Sequence, residues 1–407
     1  MRKRLKRTAT AVLLAVALLG SSLFPSVNGI AGAAAGSGEW DPLSEWLPDN
    51  GQSFDPVQQA LDQALSKNGT DAGRGTNLVT NGENPVSSLP EVPVDITTGA
   101  LVLQEKDFSY DSYGPPMEVA RSYTSQRTDQ LTMFGYGWSI PQERYIQLYN
   151  DFNMTDFKSD GSSENYSYTK LADELENLVD SYDGDELIYY PLELGEYHAE
   201  NAANKKELTR RSAEDYLLVD PVSKMRYVFK GYRAPWRTSA PKDAGKLIRY
   251  ADRTGLVILI DYDSEGRIAK FHTNTAAELT FNYNGNNLVE SVTDSGGLKF
   301  WYGYDANKNL NKITRPDGSV LEMTYDDAHR ITSRSENGVK TSYEYAGGKV
   351  TAVKDALDRT LFTYLYEGNS VTRTDAEGNR TVYTIADQKV TGIAYPDGTT
   401  NSFSYNG

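Results

Sequence analysis

Three histidines (His198, His272 and His329) are all the imidazoles in this 407-residue chain, and it has no cysteine. Chemistry that needs a nucleophile beside a base therefore has few places to start. Without cysteine there is no thiol nucleophile, no thiolate zinc site and no disulfide. His198 lies in an acidic stretch, His272 at the end of a predicted strand and His329 in a predicted turn. No pair of them has metal-ligand spacing, and no glycine-rich phosphate loop precedes a helix. Asp183, Asp185 and Glu186 could offer oxygen ligands to calcium, but they read better as a solvated acidic loop. Asp375-Ala376-Glu377-Gly378 reads as a turn. The sequence assigns no catalytic, cofactor or metal residue. The expectation is that the chain is not an enzyme, with a carboxylate hydrolase as the weaker alternative.

Tyrosine is the abundant reactive side chain, with 28 copies. From about Lys246 onward it is periodic. A tyrosine precedes a turn at Tyr262, Tyr283, Tyr304, Tyr325, Tyr345, Tyr366 and Tyr405, mostly 20 or 21 residues apart, with Thr384 filling the remaining slot. Two positions before each marker stand Ile260, Phe281, Tyr302, Met323, Tyr343, Tyr364, Val382 and Phe403. Alternation of period two, ending at a fixed point, marks a strand with one buried face. After each turn an aliphatic-x-x-apolar pattern follows, as in Ile268/Phe271, Val289/Val292, Leu310/Ile313, Val350/Val353 and Val390/Ile393; the repeats at Ile331 and Val371 lack the second apolar residue. Asp317-Gly318, Asn337-Gly338 and Asp397-Gly398 are hairpin signals. Each repeat is two short strands and two turns, and a run of them makes one long antiparallel sheet. The fixed phase predicts that the tyrosines pack across strands. Stacking on sugars is the alternative.

The elements ahead of the repeats must position whatever the repeats present. Met1 to Arg7 is basic, Ala11 to Leu19 is a short apolar run, and small residues follow, so residues 1–35 read as a secretory signal cleaved after Gly29 or Ala35. Removing its five basic residues takes the net charge from −15 to −20, which disfavours nucleic acid as a partner. The mature chain carries no apolar run long enough to span a membrane. Residues 36–90 read as a Pro/Gly/Ser/Asn-rich linker with a short helix from Pro56. Residues 91–165 form a β-rich module: strand Val92 to Ile96, turn Thr98-Gly99, strand Ala100 to Leu103, strand Val119 to Tyr123, and a tight turn Gly135-Tyr136-Gly137-Trp138. Residues 166–245 read as a β-rich extension with a helix at Leu171 to Val179, and residues 246–407 as about eight repeats, the last incomplete. The fold class is mainly all-β: an N-terminal module and an antiparallel hairpin array forming an open, curved sheet.

These residues resemble the RHS, or YD-repeat, family. Tyr262-Asp263-Ser264-Glu265-Gly266-Arg267-Ile268 matches the family's unit in full, and Tyr304-Asp305 and Tyr325-Asp326 keep its signature pair. The module resembles the domain of unknown function that precedes such repeats, through Asp95 and Gly99 in Val94-Asp95-Ile96-Thr97-Thr98-Gly99, Arg121 and Tyr123 in Arg121-Ser122-Tyr123-Thr124-Ser125, and Gly135, Gly137 and Trp138 in Phe134-Gly135-Tyr136-Gly137-Trp138. The resemblance implies a secreted protein, wall-associated or of the polymorphic-toxin type, whose repeats coil into a hollow shell around a C-terminal toxin. Here the chain ends at Tyr405-Asn406-Gly407. The expectation is a partial shell without a closing motif or a toxin domain. Eight two-strand repeats at ~4.8 Å per strand give roughly 80 Å of sheet, too little to enclose a folded domain. The expected function is a secreted scaffold or shell fragment related to toxin delivery, possessing a cell-wall glycan or a toxin/RHS chain as partner. The alternative is a surface or carbohydrate-binding module acting through the tyrosine-rich sheet.

Overall fold

The computed structural model describes residues 88–89, 92–110, 114–148, 153–168, 195–201, 205–210, 215–231, 240–273 and 277–405. The signal segment, the helices expected at Pro56 and at Leu171 to Val179, and the acidic loop at Asp183 lie outside them. The described residues are β-structure apart from one 3-10 turn, Pro141–Glu143. Among them no helix is long and apolar enough to cross a membrane.

Twenty-three strands, from Tyr145–Leu148 to Thr400–Ser402, form one antiparallel sheet in which each strand pairs with the next in sequence. Tight turns between short alternating strands leave no other order available. A bridge between Tyr145 and Lys246 brings the first strand back against the eighth, Leu247–Ala251. Among the described residues no ladder joins Thr400–Ser402 to Tyr145–Leu148, so the sheet as a whole stays open, as the repeat pattern predicts.

The marker tyrosines point to the inner face and interlock. The hydroxyls of Tyr262, Tyr283, Tyr304, Tyr325, Tyr345, Tyr366 and Tyr405 donate to the carbonyls of Leu247, Ile268, Val289, Leu310, Ile331, Val350 and Val390 at 2.7–2.8 Å. Each acceptor opens, or nearly opens, the strand after the preceding turn. Cations of the preceding repeat lie over several of these rings: Arg267 over Tyr283 at 4.4 Å, Arg330 over Tyr345 at 4.9 Å and Lys349 over Tyr366 at 4.8 Å. The Tyr-Asp-x-x-Gly-Arg unit therefore has a mechanical reading. Asp263 accepts from the amides of Glu265 and Arg267 and pairs with the Arg267 guanidinium, which covers the next tyrosine. The glycine position is left-handed: Gly266 has φ +73°, and Asn287, Lys308 and His329 occupy it in the next three repeats at φ 60–66°. Only glycine fits in the first of these, because a Cβ on Gly266 would lie 2.5 Å from the Lys242 carbonyl oxygen.

Two expectations need correction. In the repeat at 380–386 the bulge that precedes most of the markers lies between Thr384 and Ile385, so Ile385, not Thr384, holds the tyrosine's place. Tyr383 is accordingly buried and Val382 only half-buried. A one-residue slip exchanges the faces of a strand, and Val-Tyr-Thr-Ile is apolar in either phase. In the module, the turn near Gly135 falls at Met133-Phe134; Gly135–Tyr136 is the returning strand, paired with Leu131–Thr132.

Candidate functional site

The module docks on the inner face of the repeats. Its sheet consists of Val102–Tyr110, Met117–Thr124 and Trp138–Ser139. A bulge between Lys106 and Phe108 takes Asp107 out of register and turns it toward Arg121. The two make a bidentate pair at 2.6 and 2.8 Å, both side chains almost wholly buried. Trp138, Tyr302 and Phe134 surround the guanidinium, with ring centroids at 4.8, 5.5 and 5.7 Å. The Tyr302 hydroxyl, contributed by the repeats, donates to Asp107 at 2.7 Å. Burial works against the Arg121 charge, but Asp107, with Tyr302 and Glu105 further off, outweighs it and raises the pKa above its ordinary value. Burial, then the Asp107 charge, raises that of Tyr302.

Backbone groups carry much of the rest. The amides of Leu247, Val289, Ile331 and Val350 donate to Arg144 O, Met133 O, the Tyr123 hydroxyl and Gly99 O. These four are among the residues whose carbonyls take a tyrosine hydroxyl from the next repeat. Asp95 shapes the loop that presents Gly99, accepting from the amides of Thr97 and Thr98 and from the Thr97 hydroxyl. Gly99 has φ +75°. Gly135 has φ +92°, and a Cβ there would lie 2.7 Å from Lys308 O; at Gly137 it would meet the Tyr123 ring. Trp138 Nε1 donates to the Tyr325 hydroxyl at 3.1 Å, and Tyr136 stacks on His329 at 3.8 Å. At the opposite turn edge Tyr110 donates to Asp294, and Arg334 reaches Glu105 at 2.7 Å.

The residues singled out in the module thus converge on this interface: Asp95, Gly99, Arg121, Tyr123, Gly135, Gly137 and Trp138. Tyr325 joins them directly, while Tyr304 lies in the tyrosine ladder and Tyr262, Asp263, Gly266 and Arg267 in the first repeat unit. Asp305 and Asp326 each cap a turn, with Asn309 and Arg330 as their partners. Reading the residues missed Asp107, Glu105 and Arg334. Arg334 did leave a signal, since it stands where the repeat at Ile331 lacks its second apolar residue. His329 bonds Asn309 Oδ1 through Nδ1, and His272 contacts Asp261. Among the described residues no group of three or more metal-ligating side chains is placed to hold an ion.

The fold and the interface define a class: a tyrosine-laddered β-repeat sheet with its own N-terminal module docked inside. Two family models match parts of the chain. Residues 91–166 match the domain of unknown function DUF6531, and residues 283–320 and 325–360 match the RHS Repeat. The chain belongs to the RHS, or YD-repeat, family. Two curated relatives are the tRNA3(Ser)-specific nuclease WapA of Bacillus spizizenii, 22% identical, and the tRNA nuclease WapA of Bacillus subtilis, 23% identical; each alignment takes in 67% of this chain and 13% of the relative. A crystal structure of TcdB2-TccC3 without its hypervariable C-terminal region is 11% identical over 62% of this chain and 19% of that one, with a TM-score of 0.31. The Photorhabdus luminescens Tc holotoxin pore reaches 0.23 at 11% identity, over 74% of this chain and 20% of that one.

The relatives correct one expectation. The lack of a nucleophile–base or metal constellation argued against an enzyme, yet these relatives are named nucleases, which are enzymes. The chain spans about an eighth of their length. A search for catalytic side chains speaks only for the segment it covers.

Proposed function

We propose that this chain is an exported RHS shell segment of a contact-dependent toxin-delivery system, held at or released from the cell wall. The docked module carries the reading: it packs on the inner face of the repeats, where Tyr302 donates to Asp107 of the module's buried ion pair and the amides of Val289 and Val350 donate to module carbonyls. The names of the relatives support tRNA cleavage as the activity that such a system delivers. Export is supported by the basic and then apolar start of the chain, with a toxin/RHS polypeptide as partner. The domain plan that goes with this is a signal at 1–35, a linker at 36–90, the module at 91–165, a β-rich extension at 166–245 and repeats at 246–407.

The test is a competition experiment in the producing organism. Deleting the gene is expected to abolish inhibition of sensitive neighbours at contact, and fractionation is expected to find the processed chain in wall or medium. Unchanged competition, or an unprocessed cytoplasmic chain, overturns the proposal. Glycan binding through the ladder has less support, because the marker tyrosines turn inward with their hydroxyls on backbone carbonyls.

A further inference from the structure

Trp301 breaks the pattern of the outer face. Along Lys299–Tyr304 the side chains of Phe300 and Tyr302 are buried on the inner face, so Lys299, Trp301 and Gly303 share the outer one. The equivalent place, three residues before the marker tyrosine, holds Thr280, Glu322, Ser342 and Thr363 in other repeats. Trp301 keeps 46% of its surface exposed although its strand is paired on both sides, with Ser291 and Thr314 as its cross-strand neighbours. The Lys299 ammonium stands 3.7 Å from the centroid of the ring. Two other outward lysines of this part of the sheet, Lys270 and Lys312, are answered by Glu278 at 2.9 Å and Glu322 at 3.7 Å. Among the described residues no carboxylate answers Lys299. Gly303 adds no side chain beside the ring; a Cβ there would lie 3.2 Å from the Cβ of Lys312.

An exposed aromatic standing alone needs no ligand to explain it. Here an unanswered cation is fixed at the ring, and the two offer different contacts side by side: an apolar plate for the C–H surface of a pyranose and an ammonium for a carboxylate. We propose that Trp301 and Lys299 form a binding site for acidic saccharides, the sugar lying against the part of the indole that Lys299 leaves open and its carboxylate meeting the ammonium. Because the ring already holds the ammonium, binding has less side-chain freedom to remove. The charge on Lys299 selects an anionic sugar over a neutral one. The net charge of −15 works against densely charged polymers, so the fitting ligand carries its carboxylates sparsely along the glycan. The site lies on the face of the sheet opposite the docked module and the marker tyrosines, and it does not depend on toxin delivery.

The test is calorimetric titration of the full chain with a hyaluronan tetrasaccharide, which alternates acidic and neutral rings, beside a neutral N-acetylglucosamine oligomer of the same length. The wild type is expected to bind the acidic sugar in preference to the neutral one, and more weakly as salt is added. Trp301→Thr, which installs the residue found at Thr280 and Thr363, is expected to weaken binding about tenfold while leaving the melting curve of the sheet in place. Lys299→Gln is expected to remove the preference for the acidic sugar. No binding by the wild type, equal binding of the two sugars, or a Trp301→Thr variant that binds as the wild type does overturns the proposal. Should Trp301→Thr fail to fold, the indole N–H resonance of Trp301 in the wild type decides. A shift on titration with the acidic sugar supports the site, and an unmoved resonance rejects it.

Discussion

Arg334 and Glu105 stand 229 positions apart in the chain, and the guanidinium Nη2 of one lies 2.7 Å from the carboxylate of the other. Arg334 occupies an inner-face position that other repeats fill with an apolar side chain, and Arg315 stands 3.7 Å from the same carboxylate. Glu105 is mostly buried at 12% side-chain exposure and Arg334 is at 26%, so the pair is stronger than a surface bridge and weaker than a dry one. Arg334→Leu restores the repeat's apolar pattern but leaves Glu105 with only the distant Arg315. The expected cost is about 1–2 kcal/mol in urea denaturation. Adding Glu105→Leu should recover most of that loss, and a double-mutant cycle with no coupling would refute the contact.

The Arg121–Asp107 pair predicts a larger effect. Both side chains are almost wholly buried, and removing one partner strands the other charge. Asp107→Asn and Arg121→Met should each destabilise the chain by about 3–5 kcal/mol. The double substitution, which removes both charges together, should cost less than the sum of the two single changes. Chemical denaturation of the three variants measures this, and two additive losses would contradict it.

Much of the repeat sheet is legible in the residues because its signals are local. A tyrosine, an Asx-type turn and an aliphatic recur at fixed spacing, and hairpin connection leaves little choice of topology. Legibility fails where both phases of a strand offer an apolar side chain, as at Val382 and Tyr383. It fails again where the partner is remote in sequence. Asp107 looks like an ordinary strand residue until its bulge is seen, and nothing near Tyr325 announces Trp138. The motif residues of the module were visible as types, but their joint role depends on contacts spanning some 190 to 230 residues.

Gly135 and Gly338 separate backbone strain from lost space. Both have positive φ, +92° and +88°. A Cβ at Gly338 meets nothing within 4 Å, whereas one at Gly135 meets Lys308 O at 2.7 Å. Gly338→Ala should cost about 1 kcal/mol, the conformational penalty alone. Gly135→Ala should cost more and expose the module selectively to limited proteolysis. Equal melting curves for the two variants would remove Gly135 from the docking interface.

Acid should weaken the repeats at their turns. The Asp263 and Asp326 carboxyls lie below the ordinary aspartate value; burial opposes this, but the amide and guanidinium of Arg267 and Arg330 outweigh it. A depressed folded pKa gives stability that is complete above the unfolded value near 3.8 and is lost as pH falls through the folded one. The loss therefore falls below about pH 4. Asp263→Asn should keep the turn, because Asn284 already serves at the equivalent place by accepting from the amides of Asn286 and Leu288. It should lose only the Arg267 pair, about 0.5–1 kcal/mol at pH 7, and show a shallower fall in stability between pH 4 and pH 2.5. Urea midpoints at the three pH values measure both quantities. A variant as acid-sensitive as the wild type would show that these aspartates do not set the acid limit.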